Sequence, residues 1–340
     1  MSKTTIYLIR HGEAEGNVFR RLQGQYNSMI TPNGFRQIEA LSRRFQDIHV
    51  DAVYSSDLNR TKLTAGAVYI PKKLPLHTDP RFREIGGGVW ENQPFGWLER
   101  TDPVGNENFS HHPKIWHVEG SEPYEHYTGR FLRALDEVSA ANEGKTIAIF
   151  SHGMVLRGSL QELFFGGDEN AVQHCENTAV TCVTRENGKY TLEFLNDASH
   201  ITPEISTLGR QMWWRGDGKK DFNMWYRDAE EADQPLLKQL GFVPEAGQRV
   251  RISHLGETPT GALAVRDGTV EFLGLLPEFR GRGLSAQLLG ECVALAREKG
   301  FLTLQAGKIP EDPAAVRLLE KYGFEGRPLQ RDIDPEHQMN

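Results

Sequence analysis

Short apolar runs alternate with amphipathic segments along the first two hundred residues. The apolar runs are rich in β-branched and aromatic residues, as buried strands are, and they lie at 4–9, 51–56 and 145–150. The segments between and after them repeat apolar residues at helical spacing, at 31–46, 57–70, 125–141 and 154–167. Strands that alternate with helices in this way predict a mainly parallel sheet flanked by helices.

Three segments interrupt this alternation. Residues 86–122 combine glycines, prolines and tryptophans with little periodicity, which predicts a long irregular insertion of the kind that forms lids or binding loops. Residues 178–196 are two apolar runs around Asn187-Gly188, which is a strong signal for a β-hairpin. Residues 199–220 lack any regular pattern and are interpreted as a connection between two domains.

A second alternation of strands and helices follows this connection. Apolar runs at 250–255, 261–267, 269–276 and 301–306 predict strands, and 285–300 and 313–323 predict helices. The chain has 340 residues, which is enough for two domains. We therefore predict domains over 1–205 and 219–340 with a linker over 206–218.

Composition restricts the partners and the compartment. The formal net charge of −7 provides no overall attraction to nucleic acid or to anionic lipid. No run is long enough to span a membrane, and the N-terminal residues do not resemble a signal peptide. The cysteines show no paired spacing, which is typical of a reducing compartment. We expect a cytoplasmic protein with neither a nucleic-acid nor a membrane partner.

The chemistry-bearing residues lie where two apolar runs end. One run ends in Arg10-His11-Gly12, and another ends in Ser151-His152-Gly153. Ligands of parallel sheets bind at the carboxyl ends of the strands, so both histidines are expected in one crevice. Arg60 follows a third run in the first turns of a predicted helix, where anions are favoured. Two arginines and two histidines around one point indicate a phosphoryl group as the ligand.

This residue set indicates phosphoryl transfer. A neutral imidazole is a nucleophile toward phosphorus, and the arginines stabilise the charge that spreads over the equatorial oxygens. The leaving oxygen needs a proton, for which the stretch "RFREIGGGVWE" offers Glu84 or Glu91. Histidines 111, 112 and 117 have no carboxylate or cysteine at a spacing typical of metal ligands, so no metal is predicted.

Residues 4–202 resemble the histidine phosphatase (phosphoglycerate mutase-like) superfamily. The matching blocks occur in order: Arg10 to Glu13, Asn17, "RLQGQYNSMITPNG", "SSDLNRTKLTA", "FREIGGGVWE", "SHG" and "NTAVT". The resemblance implies that His11 becomes phosphorylated and that Glu84 donates the proton. It also implies a phosphate pocket formed by Arg10, Asn17, Gln23, Arg60, His152 and Gly153. The chain departs from the family at Asn92, where glycine is common, and at 119–122, which read "EGSE" rather than "GGES".

A glycine-rich loop opens the first long helix of the second domain. It consists of Arg280, Gly281, Arg282, Gly283, Leu284 and Ser285. Glycines before a helix leave backbone N–H groups free to bind a pyrophosphate. With its flanking segments this loop resembles the GNAT (acyl-CoA N-acyltransferase) family over residues 219–335. The resemblance implies an α/β GNAT domain, acetyl-CoA as co-substrate bound by this loop and Leu275, and an amine as acceptor.

The catalytic residues of this second domain are less well defined by the sequence. Leu319 stands where the family commonly has a tyrosine that protonates the thiolate, and Asp312 stands at the position of a commonly paired asparagine. Tyr322 is not an assured substitute, and Glu271 is a candidate base acting through water.

Three functions stay open from the sequence. The first is a bifunctional enzyme that hydrolyses a small phosphorylated metabolite and acetylates an amine. The second is a phosphomutase. The third is a phosphatase whose C-terminal domain binds acetyl-CoA without catalysis.

Overall fold

The computed structural model describes residues 2–211, 222–307 and 313–339. The chain divides into two compact units, and each unit is assembled from separate stretches of sequence. The first unit comprises Met1–Ala14, Gln23–Glu91 and Val104–Lys219; the second comprises Glu15–Leu22, Asn92–Pro103 and Lys220–Asn340. Most of the predicted linker, 212–218, and Asp312 lie outside the described residues, and the predicted domain boundaries stay predictions.

The described residues form two six-stranded sheets with helices around them. The strands are β1 (Thr4–Arg10), β2 (Ala52–Ser55), β3 (Leu76–Thr78), β4 (Thr146–Ser151), β5 (Val180–Glu186), β6 (Lys189–Asp197), β7 (Trp225–Asp228), β8 (Arg249–Leu255), β9 (Thr258–Arg266), β10 (Thr269–Leu275), β11 (Thr303–Ala306) and β12 (Gln330–Asp332). The helices are α1 (Glu15–Phe19), α2 (Pro32–Arg44), α3 (Asn59–Lys72), α4 (Phe95–Thr101), α5 (Pro103–His111), α6 (Tyr124–Ala141), α7 (Gly153–Phe165), α8 (Gln234–Gln239), α9 (Ser285–Glu298) and α10 (Pro313–Lys321).

The first sheet is mainly parallel, as the sequence predicts. Its strand order is β3-β2-β4-β1-β5-β6, with β3, β2, β4 and β1 parallel and β5 and β6 added as an antiparallel hairpin. The hairpin turns at Asn187 and Gly188, whose φ angles of 52° and 75° suit a tight two-residue turn. The mixed α/β class of the prediction is confirmed.

The register of the central strands determines where the two histidines lie. In the parallel pair β1–β4, Arg10 is the partner of Ser151, so the residues that follow these strands, His11 and His152, emerge side by side. The backbone N–H of His11 donates to the carbonyl of Ser151 at 3.0 Å, which extends the ladder past the end of β1. The shared edge of the sheet therefore carries both imidazoles.

Of the helices that border this edge, α2 starts at a side-chain cap, whereas α3 and α7 have no hydrogen bond from a capping side chain. Thr31 caps α2 by accepting a hydrogen bond from the Gly34 N–H at 2.9 Å, and Pro32 occupies the first helical position, as predicted. An apolar cluster that includes Ile9, Phe45 and Phe150 packs these helices against the strands.

Residues 86–122 were predicted to be irregular, and this prediction is wrong for residues 95–101 and 103–111. Helices α4 and α5 form there. Helix α4 buries Gly96 and Leu98, whereas α5 buries no residue fully, so neither helix shows a strong apolar stripe in the sequence. Trp90 and Trp116 are both 3% exposed and pack with ring centroids 5.4 Å apart, which makes these tryptophans part of a local core.

The second sheet has the strand order β12-β11-β10-β9-β8-β7. Strands β7 to β10 are antiparallel neighbours, β10 and β11 are parallel, and β12 returns antiparallel. Helix α9 packs on β9, β10 and β11, and its apolar residues form the core of the unit with those strands. The predicted turn at Asp267-Gly268 joins β9 to β10, where both residues have positive φ.

Helix α1 is held inside the second unit although it lies close to the start of the chain. The Phe19 ring is packed against α9 so closely that a methyl group on Gly290 would meet the Phe19 Cβ at 2.4 Å. Glu15 forms a 2.7 Å ion pair with Arg297 of α9, and Arg21 forms another with Glu291 of the same helix, also at 2.7 Å. Apolar contact and buried charge together attach this segment to the second unit.

Candidate active site

The His11 side chain lies at the tip of β1 and is 3% exposed. Its Nδ1 is 2.7 Å from the Gly12 carbonyl oxygen, which only accepts, so Nδ1 carries the proton and Nε2 is left with its lone pair. The His11 carbonyl accepts a hydrogen bond from Asn177 Nδ2 at 2.9 Å. Burial, followed by the charges of Arg60 and Arg10, lowers the pKa of His11 well below its usual value. The imidazole is thus neutral and oriented.

His152 faces His11, with ring centroids 5.3 Å apart. Its Nδ1 accepts from Arg60 Nε at 3.2 Å, so its Nε2 carries the proton and donates to Ser56 Oγ at 2.9 Å. Burial and the Arg60 charge lower the pKa of His152 well below its usual value as well. The opposite tautomers of the two rings leave a lone pair on His11 Nε2 and an N–H on His152 Nε2.

Two guanidinium groups border the histidines. Arg60 is 1% exposed and donates to the carbonyls of Gly24 at 2.7 Å and Tyr26 at 2.9 Å. Burial lowers the pKa of Arg60 to about 10, which leaves it charged at neutral pH. Buried cations of this kind are stabilised when an anion binds beside them.

In the part of the chain that the structure describes, Arg10 has one donor that is bonded to protein and one that is not. Its Nη1 donates to the Cys175 carbonyl at 2.5 Å, whereas its buried Nε has no hydrogen-bond partner among the described residues. A side chain at Gly153 would place its Cβ 3.3 Å from that Nε, so the glycine leaves space beside the donor. An unsatisfied buried N–H next to open space is suited to a ligand oxygen.

Glu84 is held at the amino end of α7. Its carboxylate accepts hydrogen bonds from the N–H groups of Val155 at 2.8 Å, Met154 at 3.1 Å and Ile85 at 3.1 Å. A helix N-terminus is a favourable place for a carboxylate, and the bonds orient it. Glu91 instead accepts from the N–H groups of Gln25 and Gly87, each at 2.9 Å.

Arg130 and Glu122 support the Glu84 segment and were not among the residues singled out in the sequence. Arg130 donates to the carbonyls of Arg81, Arg83 and Glu84 at 2.7 to 2.8 Å. It also forms two 2.8 Å bonds with the Glu122 carboxylate. Glu122 belongs to the stretch "EGSE", which departs from the family, and its carboxylate there holds Arg130 in place. The two residues are eight positions apart, a separation that by itself does not indicate an ion pair in the sequence.

Asn92, the other departure, has a clear structural reason. Its φ is 58°, in the left-handed region that glycine adopts freely and that asparagine tolerates better than most residues. Its carbonyl and its side-chain oxygen both accept from Arg21 Nε, at 2.8 and 3.0 Å. The exchange of glycine for asparagine therefore keeps the backbone turn.

Gln23 and Asn17 are two of the residues predicted to bind phosphate. Gln23 accepts a hydrogen bond from Ser28 Oγ at 2.5 Å. Asn17 lies in α1, which belongs to the second unit. The roles of both residues in phosphate binding stay predictions. Ser56 and Asn177, which touch His152 and His11 directly, lie inside blocks that carried the resemblance but were not named individually.

The glycine-rich loop of the second unit has the form of an anion cradle. Gly281 and Gly283 have φ angles of 74° and 77°, and a Cβ on either glycine would meet no atom within 4 Å. Among the described residues, none accepts a hydrogen bond from the N–H groups of Gly281, Arg282 or Gly283. Arg280 Nε donates to the carbonyl of Leu275 at 3.0 Å, which ties the loop to the end of β10. Leu284 is buried where the loop enters α9.

The other candidate residues of this unit have structural surroundings. Leu319 is fully buried in the core, so its position offers no acid. Tyr322 is 8% exposed and its ring packs 5.6 Å from that of Phe19. Glu271 lies at a bulge in β10, 3.3 Å from Arg266. The geometry thus favours a binding loop more clearly than a set of acetyl-transfer residues.

In the part of the chain that the structure describes, no group of three or more His, Cys, Asp or Glu side chains is arranged so that it could hold a metal ion. His111 and His112 instead lie near single carboxylates, of Glu107 at 3.9 Å and Glu169 at 3.7 Å. Within residues 2–211, 222–307 and 313–339, none of the helices combines the length and the apolar character of a transmembrane segment.

Comparison with known proteins supports both sequence resemblances. Residues 6–198 match the Histidine phosphatase superfamily (branch 1), and residues 214–324 match the Acetyltransferase (GNAT) family. Over 204 residues the chain is 29% identical to a probable phosphoglycerate mutase GpmB of Proteus mirabilis, covering 58% of this chain and 94% of that protein.

Solved structures give the same result for the first part of the chain. YhfR of Bacillus stearothermophilus is 30% identical, with a TM-score of 0.56, covering 58% of this chain and all of that one. A variant of phosphoserine phosphatase from Entamoeba histolytica, in complex with phosphoserine, is 26% identical with a TM-score of 0.52, covering 58% of this chain and all of that one. The chain belongs to the histidine phosphatase superfamily and carries a GNAT acetyltransferase domain on the C-terminal side of the histidine phosphatase domain.

Proposed function

We propose that the first unit hydrolyses a phosphomonoester through a phosphohistidine on His11. The observation that carries this proposal is the pair of neutral imidazoles, 5.3 Å apart, with the unpartnered Nε of Arg10 beside them. One ring offers a lone pair and the other an N–H, while two guanidinium groups supply positive charge. A phosphoryl group is the ligand that uses all of these features at once.

In the first step, His11 Nε2 attacks phosphorus. A P–N bond forms and the P–O bond to the leaving group breaks, while Arg10 and Arg60 stabilise the charge on the equatorial oxygens. The Nε2–H of His152 exchanges Ser56 Oγ for one of these oxygens and adds to that stabilisation. Glu84 in its protonated form gives the leaving oxygen a proton and becomes a carboxylate. The hydrogen bond from Nδ1 to Gly12 stabilises the positive charge that develops on the His11 ring.

In the second step, water attacks the phosphohistidine. The Glu84 carboxylate takes a proton from that water, a new P–O bond forms, and the P–N bond breaks. Inorganic phosphate leaves, and His11 returns to its neutral form. The N–H groups at the start of α7 hold the Glu84 carboxylate between the two steps.

The test is a screen of phosphorylated small metabolites with the wild type and with His11→Ala. We expect phosphate release by the wild type, an acid-labile phosphoprotein after rapid quenching, and loss of both in His11→Ala. His126→Ala changes an exposed histidine and serves as the matched control. Phosphate release that survives in His11→Ala would refute the mechanism.

The second unit is proposed to bind acetyl-CoA through the loop from Arg280 to Ser285, together with Leu275. The free N–H groups of the loop and the amino end of α9 suit a pyrophosphate. Transfer of the acetyl group to an amine is the corresponding activity, and the buried Leu319 favours the alternative in which acetyl-CoA is bound without turnover. Release of free thiol from acetyl-CoA with a panel of amines separates the two.

The substrate is proposed to be a small phosphorylated metabolite, for example one that also carries an amine. The phosphoserine phosphatase relative acts on such a compound according to its name. A phosphoglycerate-mutase-type phosphomutase is the alternative for the first unit, and it would return the phosphoryl group to the substrate rather than transfer it to water. Phosphate release in the absence of a bisphosphate primer supports the phosphatase.

A further inference from the structure

Residues 205–210, called here the strap, follow the first sheet where the sequence predicts a linker. Three apolar or hydroxyl side chains of the strap are almost fully buried: Ile205 at 6%, Thr207 at 3% and Leu208 at 4% exposed. A flexible linker exposes its side chains, because it has no core to pack against. The strap is therefore a packed element of the first unit.

The strap binds a buried carboxylate that lies two residues after His11. Thr207 Oγ1 donates to Glu13 Oε2 at 2.8 Å and accepts from Gln37 Nε2 at 2.9 Å. Gln37 Oε1 in turn accepts from the Glu13 N–H at 2.7 Å. These bonds form a closed ring through three residues, and Glu13 is only 1% exposed.

The strap also binds a second carboxylate next to another group that holds His11. Glu176 accepts from the strap at Ser206 Oγ and at the N–H groups of Thr207 and Leu208, over 2.5 to 3.3 Å. The adjacent Asn177 donates to the His11 carbonyl at 2.9 Å. One short segment thus contacts two carboxylates: one lies two residues after the nucleophile, and the other is adjacent to the residue that bonds the nucleophile's carbonyl.

These contacts determine the orientation of the His11 ring. Its Nδ1 bonds to the Gly12 carbonyl, and the Gly12–Glu13 peptide is held by the ring of bonds through Thr207. Removal of the Thr207 hydroxyl takes the 2.8 Å bond from the buried Glu13 Oε2, which keeps a longer bond of 3.1 Å from Asn33 Nδ2. A buried carboxylate that loses a hydrogen bond shifts toward its remaining donors. Movement of this peptide would rotate Nε2 away from the line of attack.

We propose that the strap is part of the phosphatase machinery and that Thr207 is a positioning residue for His11. This inference rests on the proposed function of His11 as the phosphorylated group. Misplacement of a reacting atom by about 1 Å costs on the order of a hundredfold in rate. The contribution of Thr207 is thus expected in the chemical step rather than in substrate binding.

The test uses three variants of the full chain. Thr207→Val removes the hydroxyl at nearly constant volume, Thr207→Ser retains it, and Thr191→Val makes the same change at an exposed position of β6. We expect Thr207→Val to slow phosphohistidine formation in single turnovers by roughly tenfold to a hundredfold, with KM changed by less than about threefold. Thr207→Ser and Thr191→Val should stay close to the wild type.

Wild-type rates of phosphohistidine formation in Thr207→Val would overturn the proposal. If Thr207→Val fails to fold, Ser206→Ala tests the same segment through Glu176, with the same expected split between kcat and KM. A wild-type chain that forms no phosphohistidine overturns the proposed function instead. In that case the positioning role of Thr207 is tested by hydrogen exchange at residues 10–13. Faster exchange in Thr207→Val alone supports this role, and equal exchange in all variants overturns it.

Discussion

Glu15 offers the sharpest test of how the second unit is held together. Its side chain is 3% exposed and forms ion pairs with Arg297 at 2.7 Å and Arg331 at 2.5 Å, whose side chains are 13% and 7% exposed. Glu15→Gln keeps the shape of the side chain but removes its charge. The buried Arg331 and the partly buried Arg297 then each lose a negative partner, which is the situation that makes a broken buried ion pair costly.

The expected loss in the free energy of unfolding is about 3–5 kcal/mol, the range found when one partner of a buried ion pair is removed. The matched control is Glu39→Gln, because Glu39 pairs with Arg43 at 2.5 Å on the surface, where the two side chains are 69% and 63% exposed. An exposed pair of this kind contributes about 0.3–0.5 kcal/mol. The two substitutions remove the same charge and differ chiefly in burial.

The assay is urea unfolding of the full chain, with hydrogen exchange measured on peptides of each unit. Hydrogen exchange is needed because a chain with two compact units is not expected to unfold in a single two-state transition. We expect Glu15→Gln to destabilise peptides of the second unit, including α9 and β12, and to leave β1 and β4 almost unchanged. Equal stabilities of Glu15→Gln and Glu39→Gln would refute the reasoning that buried charge attaches α1 to this unit.

Three further predictions concern pH, the glycine loop and Glu84. Burial lowers the pKa of His174 to about 3 and that of His200 to about 4, so the unfolded chain binds more protons below pH 6.5. The contribution of these two histidines to the free energy of unfolding should therefore level off about one unit above pH 6.5 and fall below it, by up to about 1.4 kcal/mol per pH unit for each histidine, measured by urea unfolding at several pH values; a maximum at pH 5 would contradict this. Gly281→Ala and Gly283→Ala should cost only about 1 kcal/mol in stability but weaken acetyl-CoA binding at least about tenfold by calorimetry, because each Cβ strains a positive φ and enters the cradle. Arg130→Met removes three bonds to carbonyls of the Glu84 segment and should lower kcat more than it changes KM, whereas the exposed Arg36→Met should change neither.

The hydrophobic pattern was sufficient to predict that His11 and His152 lie close together. Apolar runs that end in Arg10-His11 and Ser151-His152 predicted two histidines at one sheet edge, and the parallel register of Arg10 with Ser151 confirmed their proximity. This worked because strand direction and the location of ligands in α/β sheets follow general rules. The helices at 95–111 were missed because neither carries a strong apolar stripe.

Local sequence determined most of the strands, the two hairpin turns, the Thr31 cap and the identity of the reactive side chains, because each depends on neighbours a few residues apart. The short strands β3, β7 and β12 were not predicted. Only the tertiary structure decided which unit α1 joins, since Glu15 and Arg297 are 282 positions apart. It also decided that the strap is a packed element, through bonds from Thr207 to Glu13 across 194 positions. Hydrogen bonds and ion pairs over such distances depend on how whole elements pack, and no local pattern encodes that.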